Sequence, residues 1–190
     1  MKLQHPFVYD SEELPSIVEG NTFAKFVKNL VAVGKTQDPD LYDPLSYMGD
    51  GFEFFTEYFF KFFNGDHTLT YTADYEPNMD YDRGIDGRGL STLDGKPNVI
   101  QCKFKADPNK YLTNEDNISN VAADATMNEG LEYNGKNVII ITSCKGVHPK
   151  HAMANVHCVT YKEIQRRVDN NVIFWDNLRS LIEDQNSEKE

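Results

Sequence analysis

The run Asn137-Val138-Ile139-Ile140-Ile141-Thr142 constrains the fold more than any other stretch of this chain. A strand with one wet face alternates apolar and polar side chains, whereas an unbroken apolar run marks a strand covered on both faces, as in a sheet sandwiched by helices. Val156 to Thr160 reads as a second strand of this kind. Strands buried in this way belong to α/β proteins, and a chain of 190 residues can build the required core. At this size roughly 70% of the extended-chain surface is hidden on folding, without help from disulfides. Cys102, Cys144 and Cys158 are an odd count and too few for a disulfide scaffold, so reduced thiols are expected.

The remaining elements follow from spacing and breakers. Pro15 to Gly34 reads as a helix, with Phe23, Phe26, Val27, Leu30 and Val31 at helical spacing and Asn21 or Thr22 as cap. Residues 36–50, with Asp38-Pro39-Asp40, Asp43-Pro44 and Gly49-Asp50-Gly51, read as a loop. Phe52 to Phe63 is apolar enough for a buried helix stopped by Asn64-Gly65. Strands are expected at His67 to Ala73, Tyr81 to Asp86 and Asn98 to Phe104, with Asp94-Gly95 as a hairpin turn. After a loop over 105–113, Asn114 to Met127 reads as a helix with Ile118, Val121, Ala122 and Ala125 on one face. Pro149 to Ala154 reads as a short helix, and Tyr161 to Val168 and Ile173 to Asp184 as the last two. The expected architecture is a mixed central β-sheet flanked by helices. Residues 1–48 form an N-terminal helical extension, 49–184 the main domain and 185–190 a polar tail.

Charge limits the choice of partner. The formal net charge is -11. Phosphate contacts need Lys and Arg, so this chain is not a general polyanion binder. Yet Lys136, Lys145, Lys150, Lys162, Arg166 and Arg167 share residues 136–167 with a single acid, Glu163, which allows one basic face on an acidic body. No apolar run reaches the roughly 18–20 residues of a membrane span. The start, Met1-Lys2-Leu3-Gln4-His5-Pro6, lacks the apolar stretch of a signal peptide. The expectation is a protein of the cytoplasm, in a bacterium or a phage-infected cell, with no membrane partner.

The chemistry concentrates in Gly84-Ile85-Asp86-Gly87-Arg88-Gly89, the Asp94-Gly95 turn and Val99-Ile100-Gln101-Cys102-Lys103-Phe104. If residues 81–86 pair with 98–104, alternation points Gln101 and Lys103 one way and Cys102 and Phe104 the other, with Asp86 beside the first pair. A carboxylate and an amide oxygen are hard ligands suited to Mg²⁺. A lysine there positions or activates water, or neutralises charge on a phosphorane. The pattern resembles the PD-(D/E)XK nuclease superfamily in its Gln-x-Lys variant, as in the Mrr-like restriction endonuclease branch, where Gly-Ile-Asp precedes a strand carrying Gln-x-Lys.

Gly51-Phe52-Glu53-Phe54 resembles that branch's opening helix, and Val138 to Ser143 followed by His151-Ala152 its later strand and helix. The resemblance implies a restriction-endonuclease-like αβββαβ core and a metal-dependent deoxyribonuclease. Asp86, Gln101, Lys103 and Glu53 are then the catalytic residues. Mg²⁺, or Mn²⁺ in its place, is held by Asp86, Gln101, the backbone carbonyl of Cys102 and, through water, Glu53. Glu57, one turn on, competes with Glu53 for that last role. Gln101 stands where the motif has an acid, leaving one fewer charge to hold the metal. DNA contacts are expected from Lys105, Arg88, Lys145 and Lys150. Restriction, phage DNA processing and helicase-linked systems are all open, as are a helicase or DNA-recognition partner and a homodimer.

Cys144, His148, His151, His157 and Cys158 lack zinc-ligand spacing. Cys102 and Cys158 read as buried strand positions rather than nucleophiles. Trp175 and the tyrosines read as core, not as base-stacking platforms. The alternative function is a non-catalytic module of the same fold that docks on a protein or on DNA.

Overall fold

The computed structural model describes residues 17–78, 84–129, 137–152 and 156–187. These fall into two units: residues 56–161, and residues 17–55 with 162–187. The first contains a five-stranded sheet in the order β1-β2-β3-β4-β5. The strands are β1 (Thr72–Pro77), β2 (Gly87–Ser91), β3 (Pro97–Lys103), β4 (Val138–Thr142) and β5 (His157–Val159). Pairing is antiparallel from β1 to β3 and parallel from β3 to β5, so the sheet is mixed and the class is α/β.

The β2–β3 hairpin forms at the expected turn. Gly95 takes φ 68°, a left-handed conformation that costs a glycine little. The turn closes through Gly95 N–H to the Ser91 carbonyl and Ser91 N–H to the Lys96 carbonyl, both 2.8 Å. Asn137 to Thr142 is also as expected: β4 is buried at every position, and α3 (Ile118–Glu129) packs on β3 and β4. Ile118, Val121 and Ala125 join Val99, Leu112, Val138 and Ile140 in one apolar cluster.

Several expected boundaries move, two of them where a side chain offers the backbone another partner. Residues 36–50 are not all loop: α2 runs Pro44–Phe62. The Asp43 carboxylate accepts Ser46 N–H at 2.8 Å, and Pro44 takes the first helical position, where a missing N–H is harmless. His67 to Ala73 is mostly turn. The Asp66 carbonyl receives the N–H groups of Leu69, Thr70 and Tyr71, its carboxylate accepts Thr68 N–H, and β1 starts only at Thr72.

The second strand lies later than Tyr81 to Asp86, spanning Gly87–Ser91. There a Cβ on Gly87 would collide with the Tyr75 ring, and one on Gly89 with Thr72 and the Ala73 carbonyl. The helix expected at Asn114 is split by Asn117, at φ 56°, into a 3-10 turn (Asn114–Asp116) and α3. A second 3-10 turn spans Pro149–His151. Residues 18–22 are not helical, so the helix expected to run from Pro15 begins at Phe23, behind its cap Thr22. Pro15 itself, residues 81–83, the helix end at Ala154 and the last of the tail lie outside the described residues.

The second unit is helical: α1 (Phe23–Gly34), the first part of α2, most of α4 (Tyr161–Val168) and α5 (Val172–Ser187). Thr22 caps α1 by accepting Lys25 N–H, as expected. Phe23, Phe26, Phe55, Phe174 and Trp175 form a continuous aromatic cluster with neighbouring ring centroids 4.8–6.2 Å apart. Trp175 settles its indole N–H on the Val168 carbonyl at 2.7 Å. Asp169 accepts Phe23 N–H, and Arg179 binds the carbonyls of Val18 and Gly20. These bonds tie the ends of the described chain into one body. No helix among the described residues is long and apolar enough to cross a membrane.

Candidate functional site

Asp86 sits one residue before β2 and is held at every polar group of its backbone and by its carboxylate. Its N–H donates to the Ile100 carbonyl at 2.8 Å, its carbonyl accepts Asn78 N–H at 2.9 Å, and its Oδ2 accepts Cys102 N–H at 2.6 Å. The side chain thus continues the β2–β3 ladder past the end of β2. Burial raises its pKa above the usual carboxylate value, and the Cys102 N–H and the Lys103 charge offset only part of that.

Gln101 lies on the strand beside it, 1% exposed, with its Oε1 buried and without a hydrogen-bond partner among the described residues. Lys103, two residues on and half-buried, takes the same face by alternation. Its charge acts on both Asp86 and Asp116. The N–H and C=O of one strand residue point to the same neighbour. Cys102 therefore aims its carbonyl at the Asp86 side, while the Lys103 carbonyl turns to β4 and accepts Thr142 Oγ1 at 2.6 Å.

The other expected residues are placed as follows. The Lys105 ammonium pairs with Asp116 at 2.5 Å, and its backbone is stapled to Ser143 Oγ in both directions, 2.7 and 2.8 Å. Burial alone would raise Asp116, but the Lys105 ammonium, the Thr113 N–H and the Lys103 charge hold it below the usual range. Arg88 lies in β2, opposite Glu76 on β1 and Val99 on β3. Glu57 is fully buried and pairs with Lys61 at 2.6 Å. Glu53 is half-buried and belongs to the helical unit. Lys145 and Lys150 are exposed.

The tyrosines divide. Tyr47, Tyr58 and Tyr75 are core, but Tyr111 is 39% exposed, contrary to the reading of all tyrosines as buried. Its loop runs beside the segment after β4, through Lys145 N–H to the Lys110 carbonyl, Leu112 N–H to Gly146 and His148 N–H to Leu112. Leu112 is fully buried, so its neighbour must face out. The local alternation Tyr111-Leu112-Thr113 carried that signal in the sequence.

Among the described residues no three His, Cys, Asp or Glu side chains converge as a metal cage. Among the described residues the donors at the β2–β3 end are one carboxylate (Asp86), a buried amide oxygen lacking a partner there (Gln101) and the Cys102 carbonyl. Such a set fits a hard cation that keeps much of its own water, as Mg²⁺ does, and does not fit zinc. Comparisons of the chain with protein-family models, with curated proteins and with solved structures found no match in any of the three.

Proposed function

We propose that this chain is a metal-dependent deoxyribonuclease of restriction-endonuclease-like core, acting through Asp86, Gln101 and Lys103. The observation that carries the reading is the pairing of a pinned, buried carboxylate with an adjacent buried amide oxygen that no group among the described residues satisfies. A buried polar atom left without a partner costs about 1–3 kcal/mol and calls for an explanation, such as a bound ion. Asp86, Gln101 and the Cys102 carbonyl would hold Mg²⁺ or Mn²⁺. When bound, the ion supplies water of lowered pKa and positive charge for a phosphodiester.

The chain's own residues do the rest. Cys102 N–H holds one carboxylate oxygen of Asp86, which leaves the other for the ion. The Lys103 ammonium, on the face of Gln101, stabilises the charge that builds on the phosphate oxygens as water attacks. The decisive experiment incubates the protein with duplex, single-stranded, branched and modified DNA in Mg²⁺, Mn²⁺ or EDTA. Cleavage that requires metal and is lost in Asp86→Ala is expected; intact DNA under every condition removes the reading. A second reading is a non-catalytic module of the same fold, since among the described residues Asp86 is not joined by two further metal-ligating side chains. Metal-independent DNA or protein binding without any cutting would establish it.

A further inference from the structure

The fold turns the Tyr111 ring outward at this end of the sheet. Leu112 anchors it from below, and three backbone hydrogen bonds of 2.9–3.0 Å clamp its loop to residues 145–148. Lys145 Nζ lies 5.5 Å from the ring centroid, and the His148 ring meets it edge-on at 5.3 Å. Among the described residues neither Lys145 nor Lys150 is engaged in an ion pair. The loop begins at the end of β3 just past Lys103, and the clamping segment at the end of β4, whose Thr142 is in register with Lys103. An exposed aromatic with one cation over its ring, a second cation and an imidazole therefore share the sheet end that carries Lys103.

We propose that Tyr111 is a stacking platform for an unpaired nucleobase, with Lys145 and His148 on the adjoining phosphate, so that the substrate is DNA with single-stranded character. The inference rests on the nuclease reading for its site and goes beyond it in naming the substrate class. A chain of net charge -11 has few cations to spare for a grip made of phosphate contacts alone. Stacking on an aromatic ring adds affinity that needs no net charge and tolerates any base. Within a duplex each base is already stacked on its neighbours, so only an unpaired or splayed base reaches the ring.

The test is fluorescence anisotropy in EDTA with labelled oligo-dT and with a blunt duplex of the same length, checked by thermal melts of each variant. Tyr111→Ala is expected to weaken oligo-dT binding about fivefold to a hundredfold, with Tyr111→Phe close to wild type and duplex affinity nearly unchanged. Equal oligo-dT affinity in wild type and Tyr111→Ala overturns the platform, as does an equal loss on both DNAs or no oligo-dT binding by the wild type. Because these arms contain no metal, they stand apart from cleavage. A protein that grips oligo-dT through Tyr111 and cuts nothing keeps the platform while removing the nuclease reading.

Discussion

Asn98 and Gln101 are buried amides three residues apart on the same strand, and the fold treats them oppositely. Asn98 is fully buried and fully used: its Nδ2 donates to Thr72 Oγ1 at 2.9 Å and its Oδ1 accepts Asn137 Nδ2 at 3.0 Å. Thr70 Oγ1 extends the chain to Thr72 at 2.9 Å, and Asn137 also reaches the Pro97 carbonyl, leaving its own Oδ1 unmatched. Gln101 is as deeply buried, yet its Oε1 has no partner among the described residues, and the pinned group on the neighbouring segment is a carboxylate that also accepts. Donors and acceptors alternate at the Asn98 end; acceptors accumulate at the Gln101 end. The first arrangement stabilises the sheet by itself, whereas the second, with only the Lys103 charge beside it, gains further when a cation arrives.

The largest effect expected at the open end is on rate. Lys103→Ala should cut at least about a hundredfold more slowly in single-turnover assays while binding DNA and metal nearly normally. Lys103→Arg should not rescue it, because a planar guanidinium differs in shape and does not shed a proton. Wild-type turnover in Lys103→Ala would mean that the open end does no catalysis.

At the closed end the effect is on stability. Asn98→Ala strands Thr72 and Asn137 and should cost about 1–3 kcal/mol in urea unfolding. Gln101→Met should do the reverse in EDTA, leaving stability within about 1 kcal/mol of wild type or raising it, while metal-dependent cutting is lost. Equal destabilisation by the two substitutions would erase the contrast between the ends.

The smallest effect concerns Lys105 and Asp116, a closed pair beside the open end. Asp116 has a folded pKa below its usual value, so the unfolded chain takes up the proton first as pH falls. Its stabilising contribution is present above the ordinary value of 3.8 and is lost as pH drops through the lowered folded value. Asp116→Asn should therefore lower stability by about 1 kcal/mol or less at neutral pH and flatten the acid limb of the unfolding curve. An acid limb identical to wild type would show that the pair contributes nothing.

The sequence by itself determined the class and the chemical inventory. The unbroken run at Val138 to Thr142, the Asp94-Gly95 turn and the stripe Ile118, Val121, Ala122, Ala125 are local patterns, and each became the strand, turn or helix face expected. Asp86, Gln101 and Lys103 were legible as a carboxylate, an amide and an ammonium near one hairpin.

The tertiary structure decided which of those groups are spent. Whether an amide is satisfied depends on residues 26 and 39 positions away, as Asn98 with Thr72 and Asn137 shows, and no local pattern encodes such a distance. The start of β2 at Gly87 depended on the Tyr75 ring across the sheet, the engagement of Lys105 on Asp116, and the exposure of Tyr111 on the burial of Leu112. The boundaries at Pro44 and Thr72 moved because Asp43 and Asp66 bond to backbone N–H groups nearby. A hydrogen bond is won by whichever partner the folded chain brings closest, and side-chain periodicity reports only which faces are apolar.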